Sequence, residues 1–130
     1  MRFLVVDDEA VNRDILQKIL RAYGDVDMAE DGAKAVELVR IALSEGKPYK
    51  LICLDVCMPE TDGQAALKSI RGLELKAGIE PGDGAKIFMT TAMDNIENVR
   101  GAYNSQCDAY LLKPISEEKL LRRLRDVHLI

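Results

Sequence analysis

The chain has 130 residues, 48% hydrophobic and 31% charged, with a formal net charge of −4 at neutral pH. That composition suits a single globular domain over 1–130, and the acidic balance argues against nonspecific nucleic-acid binding. No apolar stretch approaches the roughly 20 residues of a membrane span. Three cysteines cannot all pair within the chain, so the expected setting is cytoplasmic, with no membrane and no nucleic acid.

In chain order, the first predicted strand is Phe3-Leu4-Val5-Val6, which runs into Asp7-Asp8. A helix follows with Val11, Ile15, Leu16, Ile19 and Leu20 on its inner face, ending near Gly24. A short strand is predicted over 25–29. Glu30-Asp31-Gly32 then turns into a helix with Val36, Val39 and Leu43 inward, closed by Gly46 and Pro48. Leu51-Ile52-Cys53-Leu54 is the third strand and ends in Asp55. Cys53 and Cys57 have no second cysteine pair or histidine cluster near them and do not read as a zinc site.

A long connection over 56–63 holds Pro59 and Gly63, and leads to a helix carrying Ala66, Ile70 and Leu73. Residues 78–84 form a polar loop longer than the usual helix-to-strand link. A fourth strand over 86–90 runs into Thr90-Thr91, and a rather polar helix is predicted over 95–104. The fifth strand, 109–112, runs into Lys113-Pro114. Ser116 caps the last helix, Glu117 and Glu118 favour its positive end, and Leu120, Leu121, Leu124 and Val127 face inward.

Short, continuously apolar runs alternating with helical patterns read as the strands of a buried parallel sheet. The expected fold is a doubly wound, five-stranded α/β sandwich of flavodoxin-like type, strand order 2-1-3-4-5, with five helices. In such sheets function gathers in the crevice outside the carboxyl ends of the strands. Asp7, Asp8 and Asp55 would cluster there, with Thr91 and Lys113 at the ends of strands four and five. Like charges so close repel unless a cation neutralises them, and Mg²⁺ prefers oxygen ligands. A carboxylate in such a site can be a nucleophile toward phosphorus, while Thr91 and Lys113 stabilise charge on the phosphoryl oxygens.

The motifs Val5-Val6-Asp7-Asp8-Glu9, Leu54-Asp55-Val56-Cys57-Met58-Pro59-Glu60-Thr61-Asp62-Gly63, Thr91-Ala92 and Lys113-Pro114 resemble the receiver domain of bacterial two-component response regulators. The resemblance covers essentially the whole chain. It implies that Asp55 is the phosphoacceptor. Asp8 and Asp55 would ligate Mg²⁺ directly, Asp7 would hold it through water or from one contact further out, and the Cys57 backbone carbonyl would complete the protein ligands. Lys113 would pair with the acceptor carboxylate and then with the phosphoryl group, and the bond before Pro114 would be cis. Thr91 and Tyr110 would be the switch pair: Thr91 moves toward the phosphoryl group and the Tyr110 ring turns inward.

The implied donor is a phosphohistidine on a sensor histidine kinase or phosphotransfer protein. The domain is expected to stand alone, so the signal would leave by contact with a downstream protein target. Dimerisation on phosphorylation is left open. Cys57 and Met93 occupy places that tune dephosphorylation in the family, and neither side chain can orient an attacking water. A long-lived phosphorylated state is therefore expected. Met93→Glu or Cys57→Asn should shorten the phosphoryl lifetime, and an unchanged lifetime would refute the idea.

The rival reading is an aspartate-nucleophile, Mg²⁺-dependent phosphatase-like hydrolase. Such enzymes place a second acid two residues after the nucleophile, where this chain has Cys57. A flavin-binding protein of the same fold would need a Ser/Thr/Gly-rich loop after strand one, where this chain has Asp7-Asp8-Glu9.

Overall fold

The computed structural model describes residues 1–56, 58, 62–92 and 107–130. Five strands, β1 (Arg2–Val6), β2 (Asp25–Ala29), β3 (Leu51–Asp55), β4 (Lys86–Thr91) and β5 (Ala109–Leu112), form one sheet in the order β2-β1-β3-β4-β5. Every neighbouring pair is parallel. Four helices are described: α1 (Ala10–Leu20), α2 (Gly32–Ser44), α3 (Gly63–Lys76) and α4 (Glu117–Asp126). The helix expected over 95–104 and the readings of Cys57 and Met93 lie outside the described residues.

The unbroken apolar runs are explained by a core on each face of the sheet. Side chains alternate across a strand, so Leu4, Val6, Ile52, Leu54, Ile87 and Met89 pack under α2 and α3. Phe3, Val5, Leu51, Cys53, Phe88 and Leu111 point the other way, against Leu16 and Leu20 of α1 and Leu120 and Leu124 of α4. A strand buried on both faces has no polar position to spare until it leaves the sheet. Burial also pushes the Cys53 thiol up to about 12, which leaves it protonated and inert at neutral pH.

Most expected helix faces are confirmed: Val39 of α2, Ala66 and Ile70 of α3, and Leu120 and Leu124 of α4 are buried. The exception is α1, where Val11 is 67% and Ile15 42% exposed while Leu16 and Leu20 are covered. At about 100° per residue, Val11 and Ile15 lie on a stripe turned well away from Leu16 and Leu20. One helix can seat only one of two apolar stripes. The starts of α2, α3 and α4 are secured by side chains, with Asp31, Asp62 and Ser116 accepting from Lys34 N, Ala65 N and Lys119 N, whereas Glu9 at the start of α1 makes no such bond.

The polar 78–84 loop is tied down at its far end by charges that helical patterning does not reveal. Glu74 is buried, and its carboxylate accepts from Ala85 N at 2.7 Å and from Arg71 Nη1 at 2.6 Å. Arg71 also donates to the Ala85 carbonyl at 2.8 Å and to Asp108 Oδ2 at 3.2 Å. That same Asp108 oxygen accepts from Ile87 N at 2.8 Å. The network joins α3 to the entry ends of β4 and β5, the edge of the sheet opposite Asp55.

Candidate functional site

Strand register assembles the site. Val6 pairs with Leu54, so the next residue of each strand, Asp7 and Asp55, stands beside the other at the carboxyl edge. Asp55 pairs with Thr90 and Thr91 with Leu112, which carries Thr91 and Lys113 to the same edge. The ladder continues beyond the strands: Val56 N donates to the Thr90 carbonyl at 2.9 Å, and Lys113 N donates to the Thr91 carbonyl at 2.8 Å.

One carboxylate oxygen from each of Asp7, Asp8 and Asp55 lies within 4.8 Å of the others; Asp7 and Asp55 are buried and Asp8 is exposed. Lys113 Nζ reaches between the two buried acids, 3.1 Å from Asp7 Oδ2 and 3.3 Å from Asp55 Oδ2. The Lys113–Pro114 bond is cis. Burial pulls the Lys113 ammonium down, but the carboxylates of Asp7 and Asp55 beside it outweigh this and hold its pKa above the ordinary lysine value. The ammonium is therefore fully charged at neutral pH.

Asp7 is fixed from several sides. Its Oδ1 accepts from Glu9 N at 2.9 Å, and its carbonyl accepts from Arg13 Nη1 at 2.6 Å. Its Oδ2 is buried and accepts no hydrogen bond of standard geometry among the described residues, so the approach of Lys113 serves as an ion pair. A buried carboxylate oxygen with bonding capacity to spare is costly in an apolar surrounding. One lysine also cannot balance three carboxylates. An all-oxygen, acidic donor set of this kind fits a hard divalent cation such as Mg²⁺, which keeps several of its own waters.

Thr91 is buried, and its hydroxyl donates to the Ala92 carbonyl at 3.2 Å. Tyr110 is half-buried against the core layer under α2 and α3, and Gln64 Nε2 donates to its hydroxyl at 3.4 Å. The structure thus brings Asp7, Asp8, Asp55 and Lys113 together directly and sets Thr91 on the strand beside Asp55. Sequence reasoning missed Arg13 and Gln64. Arg13 lies six residues beyond Asp7, on the first turn of the helix that follows it, and that spacing was the available signal. Gln64 carried a weaker signal, an amide at the second position of the helix that follows the connection after Asp55.

A family model for the response regulator receiver domain matches residues 3–125. Response regulator MprA of Mycobacterium tuberculosis is 33% identical over 126 residues, covering 96% of this chain and 49% of that protein. The osmosensing histidine protein kinase SLN1 of Saccharomyces cerevisiae is 31% identical over 122 residues, 92% of this chain but 9% of that protein. The chain thus spans about half the length, or less, of these curated relatives.

Among solved structures, a mutant of the receiver domain of the histidine kinase CKI1 from Arabidopsis thaliana superposes with a TM-score of 0.83 at 28% identity, covering 98% of this chain and 89% of that one. Chemotaxis protein CheY4 of Vibrio cholerae does so with a TM-score of 0.77 at 25% identity, covering 97% of both chains. With a matching family model across nearly its whole length, the same fold, and an acidic trio at the sheet edge, the chain belongs to the response regulator receiver domain family.

Proposed function

We propose that Asp55 accepts a phosphoryl group from a phosphohistidine on a sensor histidine kinase or phosphotransfer protein, and that the phosphorylated domain signals by contact with a downstream protein in the cytoplasm. The observation that carries this reading is Lys113 Nζ standing between the carboxylates of Asp7 and Asp55 at the sheet edge, 3.1 and 3.3 Å away. An Asp55 oxygen attacks phosphorus, the phosphorus–nitrogen bond to the donor breaks, and its electron pair returns to the imidazole. Phosphoryl transfer asks mainly for position and for charge against the equatorial oxygens.

Lys113 supplies fixed charge, and the Thr91 hydroxyl, now on the Ala92 carbonyl, supplies a donor one strand away. Asp8, Asp55 and the Cys57 carbonyl would hold Mg²⁺, with Asp7 reaching it through water; when bound, the ion supplies positive charge against the phosphoryl oxygens. Phosphorylation replaces the single charge of the Asp55 carboxylate with an acyl phosphate that carries about −1.5 to −2 and presents new acceptor oxygens. Thr91 turning toward that charge, with the ring of Tyr110 settling inward behind it, is the switch. The phosphoryl group must favour the active arrangement by a few kcal/mol to dominate the equilibrium.

Intact-mass spectrometry after incubation with acetyl phosphate tests the reading. One phosphoryl adduct should form with Mg²⁺, fall sharply when the metal is chelated, and be absent from Asp55→Asn. An adduct that persists in Asp55→Asn would move the acceptor elsewhere. No adduct on a chain that still binds Mg²⁺ would count against phosphoacceptance from small donors.

A further inference from the structure

The hydroxyl of Tyr110 touches a residue that plays no part in the two-residue switch described above. Gln64 Nε2 donates to it at 3.4 Å across two partly buried side chains. Gln64 is the second residue of α3, and this end of the helix is anchored on the acceptor strand. Gly63 N donates to the Val56 carbonyl at 2.9 Å, and the Asp62 carboxylate accepts from Ala65 N at 2.7 Å. Gly63 packs so closely that a Cβ there would fall on the Asp55 carbonyl oxygen and 2.8 Å from Val56 Cα. A single helical turn therefore connects the Asp55 backbone to the Tyr110 hydroxyl. This route does not pass through Thr91, whose own hydroxyl is engaged by the Ala92 carbonyl.

We propose that Gln64 is a positioning residue for Tyr110: its amide holds the hydroxyl at the start of α3, favours the half-buried setting of the ring, and transmits displacements of the Asp55 and Val56 backbone, passed on through their contact with Gly63, to β5. The proposal rests on the reading of Asp55 as acceptor and Tyr110 as switch. A neutral hydrogen bond of this length shifts a two-state balance by about three-fold.

The test uses the full chain with ¹³C-labelled tyrosine rings, the Tyr110 signal being identified by its loss in Tyr110→Phe. Spectra of the native chain, Gln64→Ala and Gln64→Glu are recorded before and after acetyl phosphate with Mg²⁺, with the adduct measured by mass. Gln64→Ala should form the adduct normally while its Tyr110 signal moves toward that of an exposed tyrosine, a change of about three-fold in the ratio of settings. Gln64→Glu, whose carboxylate can accept from the Tyr110 hydroxyl, should keep the native signal. An unmoved Tyr110 signal in Gln64→Ala overturns the proposal, as does the same movement in both variants. Failure of the native chain to form an adduct would speak against Asp55 as acceptor, and the donor-free spectra would still decide the role of Gln64.

Discussion

Lys113→Met should destabilise the domain by about 3 kcal/mol in the absence of divalent metal, because it removes the shared cation from two buried carboxylates. The Asp7 and Asp55 side chains are 1% and 3% exposed, and Lys113 Nζ lies within 3.3 Å of both. Without the ammonium, both acids and the neighbouring Asp8 face one another inside 4.8 Å. They must then ionise against mutual repulsion or take up protons, and either route costs folding free energy. Methionine keeps much of the stem volume, so the loss reports charge rather than packing. Urea unfolding with and without Mg²⁺ checks it.

The native chain should gain stability with Mg²⁺ as mass action requires, about 2.7 kcal/mol at a hundred times the dissociation constant. Lys113→Met should gain more at the same concentration, because the competing cation is gone. The alkaline limb gives a second check. The folded Lys113 pKa lies above the ordinary value of 10.5, so its contribution is full below that pH and fades as pH rises through the folded value. The stability gap between native chain and variant should therefore narrow at high pH. A gap independent of both Mg²⁺ and pH would mean that Lys113 acts through packing alone.

How much of this was legible beforehand differs from element to element. The inner strands β1, β3 and β4 were plain because their apolar runs are buried on both faces, with Asp55 closing the run of β3, whereas the edge strand β2 carries Asp25 and Asp27, is only partly covered and shows no such run. The acid trio followed from strand order alone, since Val6 beside Leu54 leaves Asp7 and Asp55 no choice but adjacency. Periodicity failed on α1, where two apolar stripes compete and hydropathy does not say which one faces the sheet. It was silent on Glu74, whose burial depends on Arg71 and on the Ala85 amide eleven residues away. The contact between Gln64 and Tyr110 spans 46 positions. Only the packing of α3 against the sheet reveals such a pair, which no local pattern encodes.

Gly63→Ala should cost about 3 kcal/mol of stability and lower the phosphorylation rate on the order of ten- to a hundred-fold. The reason is close approach rather than backbone conformation. A Cβ at Gly63 would fall on the Asp55 carbonyl oxygen, 2.8 Å from Val56 Cα and 3.0 Å from the Asp55 carbonyl carbon. All three are main-chain atoms at the end of β3, which cannot swing aside as a flexible side chain can. Relief requires α3 to back away, which breaks the 2.9 Å bond from Gly63 N to the Val56 carbonyl, or Asp55 to shift. Either movement displaces the Asp55 carboxylate relative to Asp8 and Lys113, and errors near 1 Å in such sites are enough for losses of this size.

Gly72 on the same helix provides the control. A Cβ there meets nothing within 4 Å, so Gly72→Ala should raise stability by about 1 kcal/mol through helix propensity and leave phosphorylation unchanged. Thermal or urea unfolding of both variants, with initial rates of adduct formation from acetyl phosphate, separates the two effects. Gly63→Ala at native rate and native stability would show that α3 is free to move away from Asp55, and the anchored turn that links Asp55 to Gln64 would then have no mechanical basis.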